Sequence, residues 1–145
     1  MPKQKTLVIV KPDGVMNGYI GAIKAVYLKA GLEIIDQYSL VFKLEQASEF
    51  YNEHRGRTFF SGLILAMSSG PCEVMILEGE NAIEIVRELN GATKPDQALP
   101  GTIRKEFPSA GGPFNVVHAS DSKTAYAREF KIVATIVAKQ ESIMA

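Results

Sequence analysis

Short β-branched apolar runs alternate in this chain with segments of helical period, and that alternation limits the possible architectures more than any other feature. Thr6-Leu-Val-Ile-Val10 is long enough for a buried strand and too short for a helix. It stops at Lys11-Pro12-Asp13-Gly14, a group of turn formers. Apolar residues then fall at Ile20, Ile23, Tyr27 and Ala30, which is helical spacing, and Gly31 closes the segment as a C-cap would. Residues 32–42 read as a long strand, 44–52 and 59–67 as two short helices, and 72–77 as a third strand. Ala82, Ile85, Val86 and Leu89 form one face of a helix that Asn90-Gly91 ends. Residues 116–118 read as a short strand, and Ser120, Asp121 and Ser122 are good caps for a helix running to about Arg128. Residues 130–137 read as a last apolar strand. The order β-α-β, helices, β-α-β predicts an α+β sheet, antiparallel or mixed, with helices packed against it in the split βαβ manner. No repeat, low-complexity tract or linker interrupts it, so residues 1–145 read as a single domain.

At 145 residues, such a chain can bury roughly 70% of its unfolded surface. Sixteen basic and sixteen acidic residues cancel, which argues against a dedicated nucleic-acid-coating surface. Cys72 is the only cysteine, so no intramolecular disulfide can form, as suits a reducing compartment. The N-terminus is polar, reads as carrying no secretory signal, and no apolar run approaches the ~20 residues that span a bilayer. A cytoplasmic location without membrane attachment is the default expectation.

Between Gly91 and Phe114 lies a long stretch with four prolines and four glycines that matches no regular element. Structureless segments of this length are uncommon in compact domains and are usually functional or disordered. This one carries Thr93 and Arg104, and reads as functional.

His118 is the residue of most chemical interest, ending a short strand just before a capped helix within Asn115-Val-Val-His-Ala-Ser-Asp121. A histidine so placed is more often structural than catalytic, so both readings stand at this point. His54 lies in a polar Asn-Glu-His-Arg stretch and is expected at the surface. No Cys/His group has zinc-ligand spacing. Lys11, Arg57, Arg87 and Arg104 are spread over four segments, and any one of them is most simply a solvated charge. There is neither a G-x-x-x-x-G-K-[ST] loop nor a G-x-G-x-x-G, which excludes a P-loop or Rossmann nucleotide site at motif level. Taken alone, these residues define an α/β chain with one plausible histidine and dispersed cations, and no particular reaction.

Asn115-Val-Val-His-Ala-Ser-Asp-Ser122 resembles the active-site signature of nucleoside diphosphate kinases. The likeness extends to Thr6-Leu-Val-Ile-Val-Lys-Pro-Asp-Gly14, to residues 51–60, to Met67-Ser-Ser-Gly-Pro71, to Leu77-Glu-Gly-Glu-Asn-Ala82, to Gly91-Ala-Thr-Lys-Pro95 and to Pro100-Gly-Thr-Ile-Arg104. These motifs follow in the family's order and leave out only the last few residues. The resemblance implies a ferredoxin-like split βαβ sandwich with a four-stranded antiparallel sheet. It also implies a ping-pong phosphotransfer, in which His118 takes the γ-phosphate of a nucleoside triphosphate and passes it to a diphosphate. A covalent intermediate divides one difficult transfer into two easier ones.

Further roles follow from the resemblance. Nδ1 of His118 takes the phosphate while the other ring nitrogen bonds Glu129, and Tyr51 lies beside the ring. Lys11 meets the γ-phosphate, and Arg57, Arg87 and Arg104 clamp the phosphates with fork-like donors. Thr93 adds a hydroxyl, Asn115 and Lys11 hold ribose hydroxyls, and Phe59 stacks on the base. Mg²⁺ is the implied cofactor, held mainly by the phosphates and not by a protein cage. A homo-oligomer is implied, with hexamer ahead of tetramer. Several positions depart from the family pattern: Thr58 replaces a usual proline before Phe59, Ala119 replaces a glycine, and Pro113-Phe114 replaces a Gly-Arg pair in a segment with one extra residue. A ligand-sensing module, a nucleic-acid binder and a phosphohistidine phosphatase are the rival readings. None of the three accounts for the motifs around His118.

Overall fold

The computed structural model describes residues 3–144. Four strands, β1 (Lys3–Val10), β2 (Glu33–Val41), β3 (Pro71–Glu80) and β4 (Val117–Ala119), form one antiparallel sheet in the order β2-β3-β1-β4. Consecutive strands are therefore not all neighbours, as the split βαβ pattern requires. The period of two along β1 assigns its side chains to opposite faces. Leu7 and Ile9 join Phe42, Phe50, Met67 and Val133 on one face, while Val8 and Val10 join Ile23, Tyr27, Val86 and Ile103 on the other. Helices cover both faces, which is why β1 is a continuous apolar run and not an alternating one.

The first face is covered by α3 (Leu44–Phe50), α4 (Phe60–Met67) and α7 (Lys123–Met144), and the second by α2 (Ile20–Lys29), α5 (Ala82–Asn90) and α6 (Ile103–Glu106). The turn expected at Lys11-Pro12-Asp13-Gly14 winds into a short helix, α1 (Pro12–Met16), with Pro12 at its first position, where the missing N–H costs nothing. A Cβ on Gly14 would lie 2.8 Å from Val10 Cγ1 and 3.1 Å from the Val116 carbonyl. Only glycine lets α1 sit this close to the strand ends.

One expected strand is corrected. Residues 130–137 belong to α7, which is capped by Ser122, whose hydroxyl accepts from the Ala125 N–H at 3.0 Å, and which continues through the run. Glu129, Val133 and Ile136 are buried, the three- and four-residue spacing of a helical stripe. No glycine or proline occurs after Ser122 to stop the helix, and propagation is favourable once a helix is nucleated. A short β-branched run cannot by itself be told from a helix segment, and packing against the sheet decides it here. Glu129 accordingly lies in the second turn of a long helix, not at the end of a short one. The stretch from 91 to 114 is also more ordered than expected: it holds a 3₁₀ turn at Pro95–Gln97 and the helix α6.

Candidate active site

The carboxyl end of β1, strand β4, α6 and the start of α7 open onto one cleft of about 1930 Å³. Every residue assigned a site role from sequence lines it: Lys11, Tyr51, Arg57, Phe59, Arg87, Thr93, Arg104, Asn115, His118 and Glu129. Their wide separation in sequence is closed by sheet pairing and by the return of the 91–114 segment.

His118 pairs with Ile9 across β4 and β1, so its ring emerges on the α3–α7 face. There it meets Phe50 and Tyr51 edge-on, with centroids 5.1 and 5.7 Å away. Nε2 lies 2.8 Å from Glu129 Oε1. Glu129 is only 2% exposed, and the same oxygen accepts a second bond, from Ser120 Oγ at 2.8 Å. A carboxylate can only accept, so it draws the imidazole proton to Nε2 and leaves the Nδ1 lone pair free. Burial, then the neighbouring Glu129 charge, pushes the Tyr51 phenol well above its ordinary range, keeping it a neutral wall beside the ring.

Lys11, 2% exposed, follows β1 directly. Its ammonium donates to the Pro113 carbonyl at 2.6 Å and to Asn115 Oδ1 at 2.9 Å, leaving one of its three donors. Burial lowers its pKa from 10.5 to about 8; Asp13 opposes the shift and Arg104 adds to it. Asn115 is engaged at its other end too, donating from Nδ2 to the Thr93 carbonyl at 3.1 Å. The next residue, Val116, has φ +74°, a strained region for a β-branched side chain. Two bonds hold it there, from the Lys11 N–H to the Val116 carbonyl (2.8 Å) and from the Val116 N–H to Asp13 Oδ2 (3.0 Å). The strained turn lets Asn115 face Lys11 while Val117 and His118 enter β4. Backbone strain of this kind persists where the surroundings enforce it, commonly at functional sites.

Arg104 spends three donors on backbone oxygens: Nε on Asn115 (3.3 Å), Nη1 on Gly91 (2.7 Å) and Nη2 on Val117 (2.6 Å). Two of its five N–H groups remain. Its pKa is lowered, mainly by burial. Arg57, Arg87 and Thr93 are exposed on the cleft wall. Phe59, at the start of α4, is 50% exposed with its ring presented to the cleft. Among the described residues no group of three His, Cys, Asp or Glu side chains could cage a metal ion.

Sequence reasoning missed several participants. His54 is not a free surface residue; it is half-buried in the cleft, its ring 5.4 Å from Phe59 and 6.1 Å from Tyr51. Asp13, the Pro113 carbonyl and Ser120 support the site through contacts that only the fold creates. Asp13 and Ser120 lie inside motifs the sequence singled out, but neither pattern gave them a role beside Val116 or Glu129.

The family model for nucleoside diphosphate kinase matches residues 4–136. A nucleoside diphosphate kinase of Caldanaerobacter subterraneus subsp. tengcongensis is 49% identical over 127 residues, spanning 88% of this chain and 91% of that protein. The fold is similar to a solved nucleoside diphosphate kinase of Halobacterium salinarum in complex with CDP, with TM-score 0.85, 38% identity, and 90% and 87% of the two chains covered. It is also similar to a transition state mimic of the Borrelia burgdorferi enzyme with bound vanadate and ADP, with TM-score 0.83, 35% identity, and coverage of 90% and 86%.

Proposed function

This chain belongs to the nucleoside diphosphate kinase family, and from that premise we propose that Nδ1 of His118 is the nucleophile that carries the phosphate between nucleotides. The observation that carries this reading is the 2.8 Å contact of Nε2 with Glu129, which leaves the opposite ring nitrogen as the free base in a cleft that Lys11, Arg57, Arg87 and Arg104 also line. In the first half-reaction the Nδ1 lone pair forms a bond to the γ-phosphorus of a nucleoside triphosphate. The bond from that phosphorus to the β–γ bridging oxygen breaks, and the diphosphate leaves with the electron pair. In the second half-reaction a diphosphate oxygen attacks the phosphohistidine and restores Nδ1. Glu129 and Ser120 keep the ring oriented and stabilise the proton on Nε2 throughout.

Phosphoryl transfer needs positioning and charge neutralisation more than covalent assistance. Lys11 supplies its remaining donor to the γ-phosphate. Arg57 and Arg87, exposed at the rim, have whole guanidinium forks to offer, whereas Arg104 contributes two N–H groups from a fixed position. Thr93 donates a hydroxyl, and Asn115 meets the ribose hydroxyls. Phe59 stacks on the base, and because every base presents a π-face, purines and pyrimidines are both accepted. Six basic and six acidic side chains share the cleft lining, and no three carboxylate, His or Cys groups among the described residues form a metal cage; Mg²⁺ would therefore be held mainly by the phosphate oxygens, where it would neutralise charge on the transferring group. The chain acts as one domain. A cytoplasmic setting fits its single, buried Cys72 and its described helices, none of which is long and apolar enough to cross a membrane.

The decisive experiment is labelling with γ-labelled ATP and Mg²⁺ in the absence of an acceptor. One acid-labile, alkali-stable phosphohistidine is expected, with labelling and turnover both lost in His118→Ala. Undiminished labelling in that variant, at His54 or elsewhere, would overturn the assignment. Formation of GTP from ATP and GDP separates the kinase from a phosphatase or a binding module.

A further inference from the structure

Arg104 is braced from the side of the sheet opposite His118. The Tyr27 hydroxyl of α2 donates to Asn90 Oδ1 over 2.5 Å, and both residues are shielded from solvent. Asn90 is the last residue of α5, and the next carbonyl, that of Gly91, accepts the 2.7 Å bond from Arg104 Nη1. Gly91 has φ +86°, and a Cβ there would fall 2.5 Å from Thr102 Oγ1. The turn after α5 is therefore pressed against Thr102, the residue that starts α6, and α6 carries Arg104. The end of α5 thus sets Arg104 in two ways, through a carbonyl it donates to and through the helix it sits on.

The Tyr27–Asn90 bond ties the end of α5 to α2 beside the apolar packing of Ile23 and Val86. It is formed among apolar residues, including Val86, Ile103 and Val117, where a polar pair has no advantage over hydrocarbon of the same shape. Asn90 Nδ2 has no partner among the described residues, so the amide is held through its oxygen alone. A buried amide kept under those conditions supplies direction: the bond is short only at one rotation and height of the α5 terminus, whereas an apolar contact tolerates sliding.

We propose that Tyr27 and Asn90 are positioning residues for phosphoryl transfer: their hydrogen bond fixes the turn at Gly91, whose carbonyl holds the Arg104 guanidinium with its two remaining N–H groups directed at the phosphates. This rests on the reading that Arg104 clamps phosphate. Tyr27 is not among the residues that line the cleft, and Asn90, which borders it, is 1% exposed; both act through Arg104.

A double-mutant cycle on the intact chain tests it, using Tyr27→Phe, Arg104→Ala and the double variant. The readout is the single-turnover rate of phosphoenzyme formation from γ-labelled ATP and Mg²⁺, with thermal unfolding followed in parallel. Tyr27→Phe should slow labelling roughly tenfold, as expected for a misplaced positioning group. Arg104→Ala should slow it further, and adding Tyr27→Phe to Arg104→Ala should change the rate no more. A purely structural role would lower the melting temperature equally in both backgrounds without this coupling. A native rate in Tyr27→Phe, or the same slowing in both backgrounds, overturns the inference while leaving the Arg104 clamp intact. A native rate in Arg104→Ala instead removes the clamp, and the inference with it. Should Tyr27→Phe fail to fold, Asn90→Leu, which removes the amide and keeps apolar bulk, is run through the same cycle with the same expectations.

Discussion

Lys11 and His118 emerge from neighbouring strands into one cleft, yet their environments pull them in different directions. His118 keeps a carboxylate partner and partial contact with solvent, while Lys11 is sealed among backbone and amide groups that leave its charge poorly hydrated. Burial disfavours the ammonium relative to the neutral amine, which is why its pKa falls to about 8. The sign of the consequence is definite. Lys11 neutralises phosphate only when protonated, so kcat/KM for ATP, which reports the free enzyme, should hold from about neutrality to pH 8 and decline above it as the proton leaves. Lys11→Arg keeps its charge far into the alkaline range and should erase that decline, at a lower overall rate because a planar fork does not reproduce a compact ammonium. A native profile that stays flat to about pH 9.5 would show that Lys11 retains an ordinary lysine pKa.

At the scale of elements, α7 illustrates how tertiary packing overrides local preference. Its segment from Lys131 to Val137 is rich in β-branched residues, whose helix propensity is only weakly unfavourable. The stripe Glu129, Val133 and Ile136 meets the sheet only in helical geometry, and that geometry also brings Glu129 to His118. Ala134 faces solvent in the middle of this helix. Ala134→Gly should therefore cost about 1 kcal/mol in urea unfolding, the usual penalty for glycine at an exposed helix interior. Phosphoenzyme formation should survive, because Glu129 lies more than a turn away. An unchanged unfolding midpoint would be incompatible with a regular helix at this point. β4 shows the converse case: three residues suffice as a strand, because β1 supplies the ladder and the strained Val116 turn delivers the chain into register.

For the molecule as a whole, the 91–114 segment links site and assembly. Its inner side supplies Thr93, Arg104 and the Pro113 carbonyl to the cleft, and Ala98 and Ile103 anchor it to the body. Leu99 stands in the lining of the same cleft, 72% exposed, and an ordered segment of this length needs something to pack on. We expect a homo-oligomer in which this segment takes part, with hexamer favoured over tetramer. Light scattering on the purified chain should give a mass near six protomers. A stable monomer at micromolar concentration would refute this.

The sequence by itself determined the alternation of strands and helices, the family, and the list of side chains with chemistry to offer. Those are properties of local pattern and of ordered motifs, and each is written in contiguous residues such as Thr6–Val10 or Asn115–Ser122. It did not determine that residues 130–137 are helical, since an eight-residue apolar run satisfies a strand or a helix equally and only contact with the sheet separates them. Nor could it place His54 in the cleft, bury Lys11 against Pro113 and Asn115, or pair Tyr27 with Asn90 behind Arg104. Each of those depends on groups far apart in the chain meeting at hydrogen-bond distance. The tertiary structure alone decides that, because bond direction and burial depend on where the elements pack, and no single segment carries that information.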